Sequence, residues 1–155
     1  MKKSFLSVTA AILVLGLELG AGGAAHVNQK SSAAGVLEAA QKMARDLQNR
    51  DADSVLALYG RREEFVHIEN GKEIPWSALE PQVRMYLGSI KKNDISWVGT
   101  PKVLILGPES AVVFGAHRFG GDQTHAGHLG EWTGVFQLID GQWKLVHSHS
   151  SDERH

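Results

Sequence analysis

The chain has 155 residues, 43% hydrophobic and 21% charged, with a formal net charge of −1, which fits one ordinary globular domain with no strong electrostatic pull toward nucleic acid. Arg61-Arg62 and Lys91-Lys92 are isolated basic pairs and read as solvated faces rather than a polyanion-binding patch. The absence of cysteine excludes disulfides, thiolate metal sites, cysteine nucleophiles and a lipid-anchored cysteine.

Met1-Lys2-Lys3 is basic, Phe5 to Leu17 is apolar apart from Ser7 and Thr9, and Gly20 to Ala25 supplies small residues. This three-part layout predicts a secretory signal peptide over residues 1–25, because the apolar run falls short of the roughly 20 residues that span a bilayer. The expected location is secreted or periplasmic, with no membrane partner after cleavage. Residues 26–32 are polar and predict a flexible amino-terminal segment.

Val36, Leu37, Ala40, Met43, Ala44 and Leu47 recur at helical spacing opposite Glu38, Gln41, Lys42, Arg45 and Asp46, predicting an amphipathic helix over residues 33–49. Asp51 is placed to cap a second, short helix carrying Val55, Leu56 and Leu58, which Gly60 would end in a left-handed turn. Phe65 to Glu69 reads as a short strand, and Asn70-Gly71 as a hairpin turn into Lys72–Ile74. Ser77-Ala-Leu-Glu80 is a capping box, predicting a third helix over residues 78–89 with Pro81 in its first turn.

Everything after that reads as strand. Residues 95–99 and 102–106 predict one long strand interrupted at Thr100-Pro101. Residues 111–119 form the next strand, and 120–129 a glycine-rich loop. Two apolar runs then flank Asp140-Gly141, the strongest short-range hairpin signal in the chain. Helices first and strands last predict an α+β domain, in which about three amino-terminal helices cover one face of a curved antiparallel sheet.

In a regular last strand, Trp143, Leu145, His147 and His149 share one face. A row that starts as core and ends in two imidazoles reads as the wall and mouth of a pocket. His147 and His149 are the candidate acid–base residues, because imidazole titrates near neutrality. A one-residue change of register would replace them with Val146 and Ser148. Trp76 and Tyr86, on or beside the third helix, are candidate pocket residues, since rings with a polar tip suit small-ligand sites. Trp97 and Trp132 are assigned to the core. His-x-His on a strand also matches metal-ligand geometry, with His117, His125 or His128 as completing ligands. No carboxylate stands in an obvious third-ligand position, so no dedicated metal site is assigned. No phosphate loop, dinucleotide fingerprint or Gly-x-Ser-x-Gly motif occurs, and no cofactor is expected.

The ending Asp140-Gly-Gln-Trp143-Lys-Leu-Val-His147-Ser-His149-Ser-Ser151 resembles the carboxy-terminal signature of SnoaL-like proteins in the nuclear-transport-factor-2-like superfamily. Leu47-Gln-Asn-Arg-Asp51-Ala-Asp53, followed by Leu56 to Tyr59, resembles the join between their first and second helices. The resemblance covers residues 33–151, leaving 152–155 as a tail. It implies a cone-shaped half-barrel whose helices close a pocket on the concave side of the sheet. His67 would then lie near the pocket entrance, and Trp143 on its wall. The superfamily includes ketosteroid isomerases, polyketide cyclases, dehydratases, a kinase association domain and many non-catalytic members, so the fold does not carry an activity across. The isomerase carboxylates find no counterpart in these strands. The reading that follows is a secreted or periplasmic pocket domain for a small, largely apolar molecule. It would be a homodimer through the outer sheet face, with lyase, isomerase or hydration chemistry as its catalytic form. The alternatives are a non-catalytic homodimerising association module and a metal-dependent enzyme using His-x-His.

Overall fold

The computed structural model describes residues 33–89, 95–119 and 128–153. The expected signal peptide, the segment 26–32, most of the 120–129 loop and His125 lie outside the described residues. Helix α1 spans Ala33–Asn49, α2 Ala52–Ala57 and α3 Trp76–Ser89. The strands are β1 Val66–Glu69, β2 Lys72–Pro75, β3 Ser96–Trp97, β4 Lys102–Gly107, β5 Ser110–Phe119, β6 His128–Ile139 and β7 Gln142–Asp152.

One sheet carries these strands in the order β2-β1-β7-β6-β5-β3, with β4 also paired to β5. It is curved and unclosed, and the three helices precede its long strands, as the α+β reading expects. The sheet is mixed rather than wholly antiparallel, because β1 runs parallel to β7 with His67 opposite Ser148 and Glu69 opposite Ser150. Strands β3 and β4 lie in succession along one edge of β5. They act as one interrupted strand, broken near Gly99 at φ +81°. Among the described residues no helix is long and apolar enough to cross a membrane.

Both predicted hairpin turns form. Asn70 and Asp140 each take φ +50°, followed by Gly71 at +79° and Gly141 at +73°, the pair of left-handed residues that a tight two-residue turn requires. Asp51 caps α2, its carboxylate accepting from the Ser54 backbone N–H at 3.0 Å, which holds the carboxyl below its usual range.

Three local expectations are corrected. Gly60 does not end α2 in a left-handed turn. It is needed for close approach, since a Cβ there would stand 2.8 Å from Lys144 Cβ and 2.9 Å from Ile139 Cδ1. Around it the chain pairs with β7, Gly60 N–H donating to the Leu145 carbonyl at 2.9 Å. Helix α3 starts at Trp76, whose N–H donates to the Phe65 carbonyl at 3.2 Å, so Ser77 lies inside the helix. Pro81 is then in the second turn, where it leaves the Ser77 carbonyl without a helical donor. Both residues face solvent, where water can take that carbonyl.

The third correction places the site. Val135 pairs with His147 but Phe136 pairs with Leu145, so Val146 is an extra residue, a β-bulge that shifts the alternation of β7. Trp143 and Leu145 face inward before the bulge, and Ser148, Ser150 and Asp152 line the interior after it. His147 and His149 fall on the opposite face, which is the reverse of what a regular strand predicts.

The core lies between α1, α2 and the concave side of the sheet. Phe65, Phe136, Leu145, Val36, Val55 and Val113 are its largest fully buried apolar side chains. Tyr59, Phe65 and Trp76 form an aromatic cluster with ring centroids 4.8–6.1 Å apart, within the range where edge-to-face contacts are favourable.

Candidate functional site

The inner face of the sheet is ordered in rows. Val113, Gly134 and Ser148 are register neighbours across β5, β6 and β7, followed by Gly115, Trp132 and Ser150, then His117, Gly130 and Asp152. Large side chains fill the first part of this face. Toward the last row the residues become small or polar, and a cavity of about 500 Å3 opens. Helix α1 supplies Ala40, Met43 and Leu47 to its wall, and α3 supplies Leu79, Val83 and Tyr86. These residues sit on the apolar stripes of their helices, so the periodicity that makes the helices pack also makes the wall apolar.

Two glycines shape the far wall. A Cβ on Gly134 would stand 2.1 Å from Cη2 of Trp132, so the indole lies flat over that strand position only because no side chain is there. Trp132 meets Trp97 edge to face at 5.6 Å between ring centroids. A Cβ on Gly130 would stand 3.0 Å from His117 Cε1 and 3.1 Å from Asp152 Oδ1. Gly130 thus leaves the space in which an imidazole and a carboxylate from its two neighbouring strands converge.

The polar side of the cavity is built on β1 and β7. His67 Nδ1 lies 2.9 Å from Ser148 Oγ, and its Nε2 lies 3.3 Å from Ser150 Oγ. A hydroxyl can donate or accept, so either tautomer of the ring is satisfied. Burial lowers the His67 pKa; a hydrogen bond with Ser148 works against that shift, while the nearby His147 and His149 add to it. His67 is therefore neutral at pH 7, with one ring nitrogen able to take a proton. Burial likewise lowers His117, opposed by the charges of Asp152 and Glu131. The hydroxyls of Tyr59 and Tyr86 are pushed upward by burial and stay protonated. Asp152 is fixed by Asn70, whose side chain accepts from the Asp152 N–H at 2.9 Å and donates to its carboxylate at 3.3 Å. Glu69 and Asp152 are the carboxylates of the lining, and no Lys or Arg lines it among the described residues.

Of the residues singled out in the sequence, His67 and Tyr86 line the cavity, and so do His117 and His128, the candidates for completing a metal site. Trp76 does not; it packs on Tyr59 and Phe65 and carries Arg62 over its ring at 4.8 Å. Trp143 is 5% exposed and belongs to the core. His147 and His149 are placed outside the lining by the bulge. Among the described residues no three His, Asp or Glu side chains are grouped to hold a metal ion. Sequence reasoning named Ser148 only as the outcome of a change of register, and it missed Ser150 and Asp152, the last taken as tail. It assigned Trp97 and Trp132 to the core, and considered His117 only as a metal ligand. The alternation Ala111, Val113, Gly115, His117 did carry the signal for His117, three small or apolar inward positions followed by an imidazole.

The sequence profile of the SnoaL-like domain matches residues 36–152. No curated protein matches the chain. Solved structures do. An NTF2-like protein of unknown function from Shewanella oneidensis is 19% identical with a TM-score of 0.63, covering 76% of this chain and 96% of that one. An NTF2-like protein from Streptomyces avermitilis, provisionally named a dehydratase, is 14% identical with a TM-score of 0.64, covering 76% and 93%. The association domain of CaMKII from C. elegans is 21% identical with a TM-score of 0.63, covering 80% and 99%. At these identities the likeness is one of fold, and it agrees with the cone-shaped half-barrel.

Proposed function

The chain belongs to the SnoaL-like domain family, and from that premise we propose that it binds a small, largely apolar molecule in the cavity between α1, α3 and the sheet. The observation that carries this reading is the cavity itself. Its volume of about 500 Å3 falls within the roughly 300–1,000 Å3 typical of small-ligand sites. Apolar helix faces supply the affinity, and a few convergent polar groups fix the orientation. His67, neutral and within reach of two hydroxyls, is the group suited to proton transfer in such a site. The reaction class that fits is acid–base chemistry on the bound molecule: isomerisation, dehydration or hydration.

We place the protein outside the cytoplasm on the amino-terminal sequence layout, and read it as a homodimer through the outer sheet face. Leu104 and Phe114 are exposed there at 54% and 36%, with Leu106 exposed at the adjoining bulge, which also favours the second reading, an association module. The two differ in what the interior does. Titration with the neutral fluorophore N-phenyl-1-naphthylamine separates them. The binding reading expects one saturable site per subunit that Val83→Trp abolishes, because the added indole fills the cavity. Equal binding by the variant, or none by the parent, favours association alone.

A further inference from the structure

The cavity is apolar over most of its wall, and the fixed charge it carries is of one sign. Glu69 and Asp152 line it, and no Lys or Arg does among the described residues. The two carboxylates come from adjacent strands at the same end of the inner face. Glu69 of β1 lies opposite Ser150 of β7, and Asp152 stands two residues further along β7, on the same side as Ser150. Among the described residues the ion pairs join Lys42 to Asp46, Arg61 to Glu64, and Arg84 to Asp53 and Glu80, and none of them involves Glu69 or Asp152. Asp152 is held in place, since Asn70 Nδ2 donates to its Oδ2 at 3.3 Å. Its other oxygen, Oδ1, lies at the gap that Gly130 leaves, 3.1 Å from where a Cβ would stand. The imidazoles of His67 and His117 do not supply the missing charge, because burial disfavours their protonated form.

We infer that the bound molecule is a cation, an organic ammonium ion whose charged nitrogen sits at the end of the cavity lined by Glu69 and Asp152 while its apolar body lies along α1 and α3. This rests on the binding reading above and specifies the ligand class. Two carboxylates facing one cavity repel each other, and walls of low dielectric strengthen the repulsion. An ammonium ion removes it and donates charge-assisted hydrogen bonds to the carboxylate oxygens. A carboxylate or phosphate on the ligand would add to the repulsion instead. A bare metal ion makes no use of the apolar wall from Ala40, Met43, Leu47 and Val83, and among the described residues no three His, Asp or Glu side chains are grouped to hold one. Trp97, Trp132 and Tyr86 share the lining. The faces of aromatic rings are the negative side of their quadrupoles, so these rings favour a cation again.

The test is a set of three molecules of similar shape and different charge: 1-(2-naphthyl)ethylamine, a cation near neutral pH, the neutral 2-acetylnaphthalene, and the anion 2-naphthoate. Each is titrated calorimetrically into the parent, Glu69→Gln and Asp152→Asn at about pH 8, above the ordinary imidazole range. The inference expects the ammonium to bind the parent about tenfold or more tighter than the ketone, the effect of a hydrogen bond to a charged group, with the naphthoate weakest. That preference shrinks toward unity in the two variants, through loss of ammonium affinity. Should a variant not fold, ionic strength decides on the parent: added salt weakens the ammonium, strengthens the naphthoate and leaves the ketone unchanged. Equal binding of all three molecules, tightest binding by the ketone or the naphthoate, or an ammonium preference that survives both substitutions overturns the inference and leaves the cavity reading standing. No binding by any of them overturns both.

Discussion

The imidazole of His67 and the hydroxyl of Ser148 meet at 2.9 Å across the parallel junction where β1 lies beside β7. Ser148 is 2% exposed, and its inward direction depends on the Val146 bulge a short way before it. A single extra residue therefore decides which side chains of the last strand see the cavity.

That placement separates the histidines by experiment. His147→Ala and His149→Ala lie on the outer face and change ligand affinity by less than about twofold, as surface substitutions do. His67→Ala removes a polar side chain from the cavity wall and leaves the buried Ser148 hydroxyl unpaired, so of the three variants it alone changes ligand affinity, by about fivefold or more. Calorimetric titration of the three variants with 2-acetylnaphthalene checks the order. A loss confined to His149→Ala restores the regular-strand reading.

Stability should fall on mild acidification. The folded pKa values of His67 and His117 lie below the ordinary 6.5 because burial disfavours the charged ring. A depressed pKa contributes stability that is present above the unfolded value and lost as pH falls through the folded one. Urea unfolding between pH 7.5 and about pH 5 should show a declining free energy, with a shallower slope in His67→Gln. A slope unchanged by that substitution contradicts the shift.

Gly134→Ala tests the packing of the wall. Its methyl would meet the Trp132 ring at 2.1 Å, so the indole must turn off the strand and away from Trp97. Overpacking of this kind costs about 1–3 kcal/mol. Denaturant titration should show that loss, and near-ultraviolet circular dichroism should lose the signal of the Trp97–Trp132 pair. An unchanged spectrum would mean that the ring is not held as described.

The outer face predicts the assembly. Leu104 of β4 lies opposite Val112 and diagonally from Phe114 of β5, and Leu106 follows it at a bulge near the strand's end; a contiguous exposed apolar patch marks an interaction surface. Sedimentation of the parent should give a dimer, and Leu104→Lys with Leu106→Glu a folded monomer. A parent that sediments as a monomer removes the homodimer reading.

Much of this fold is written in short-range pattern. The stripe from Val36 to Leu47 gives α1 its limits, and Asp51 gives α2 its start. Asn70-Gly71 and Asp140-Gly141 give both hairpins, because each turn requires left-handed backbone that those residues accept. The site was far less legible. A bulge adds one residue without changing composition or hydropathy, so nothing around Val146 announces it, yet it exchanges His147 and His149 for Ser148 and Ser150. The parallel pairing of β1 with β7 is a long-range contact with no local signature, and it is what brings His67 to those serines. Trp76 and Trp143 carry the same ring whether they line a cavity or fill a core. Only the neighbours decide: Trp143 fills the core and Trp76 packs against it.

The central claim is that the interior, not the outer face, receives the ligand, and its most direct test is a 1H–15N NMR titration of the uniformly labelled protein with 2-acetylnaphthalene. The account predicts saturable shifts gathered on Ala44, Val83, Trp97, Trp132 and Ser148, with Leu104 and Leu106 unmoved. Shifts gathered on β4 and the outer side of β5 instead, or no saturable shifts at all, would contradict it.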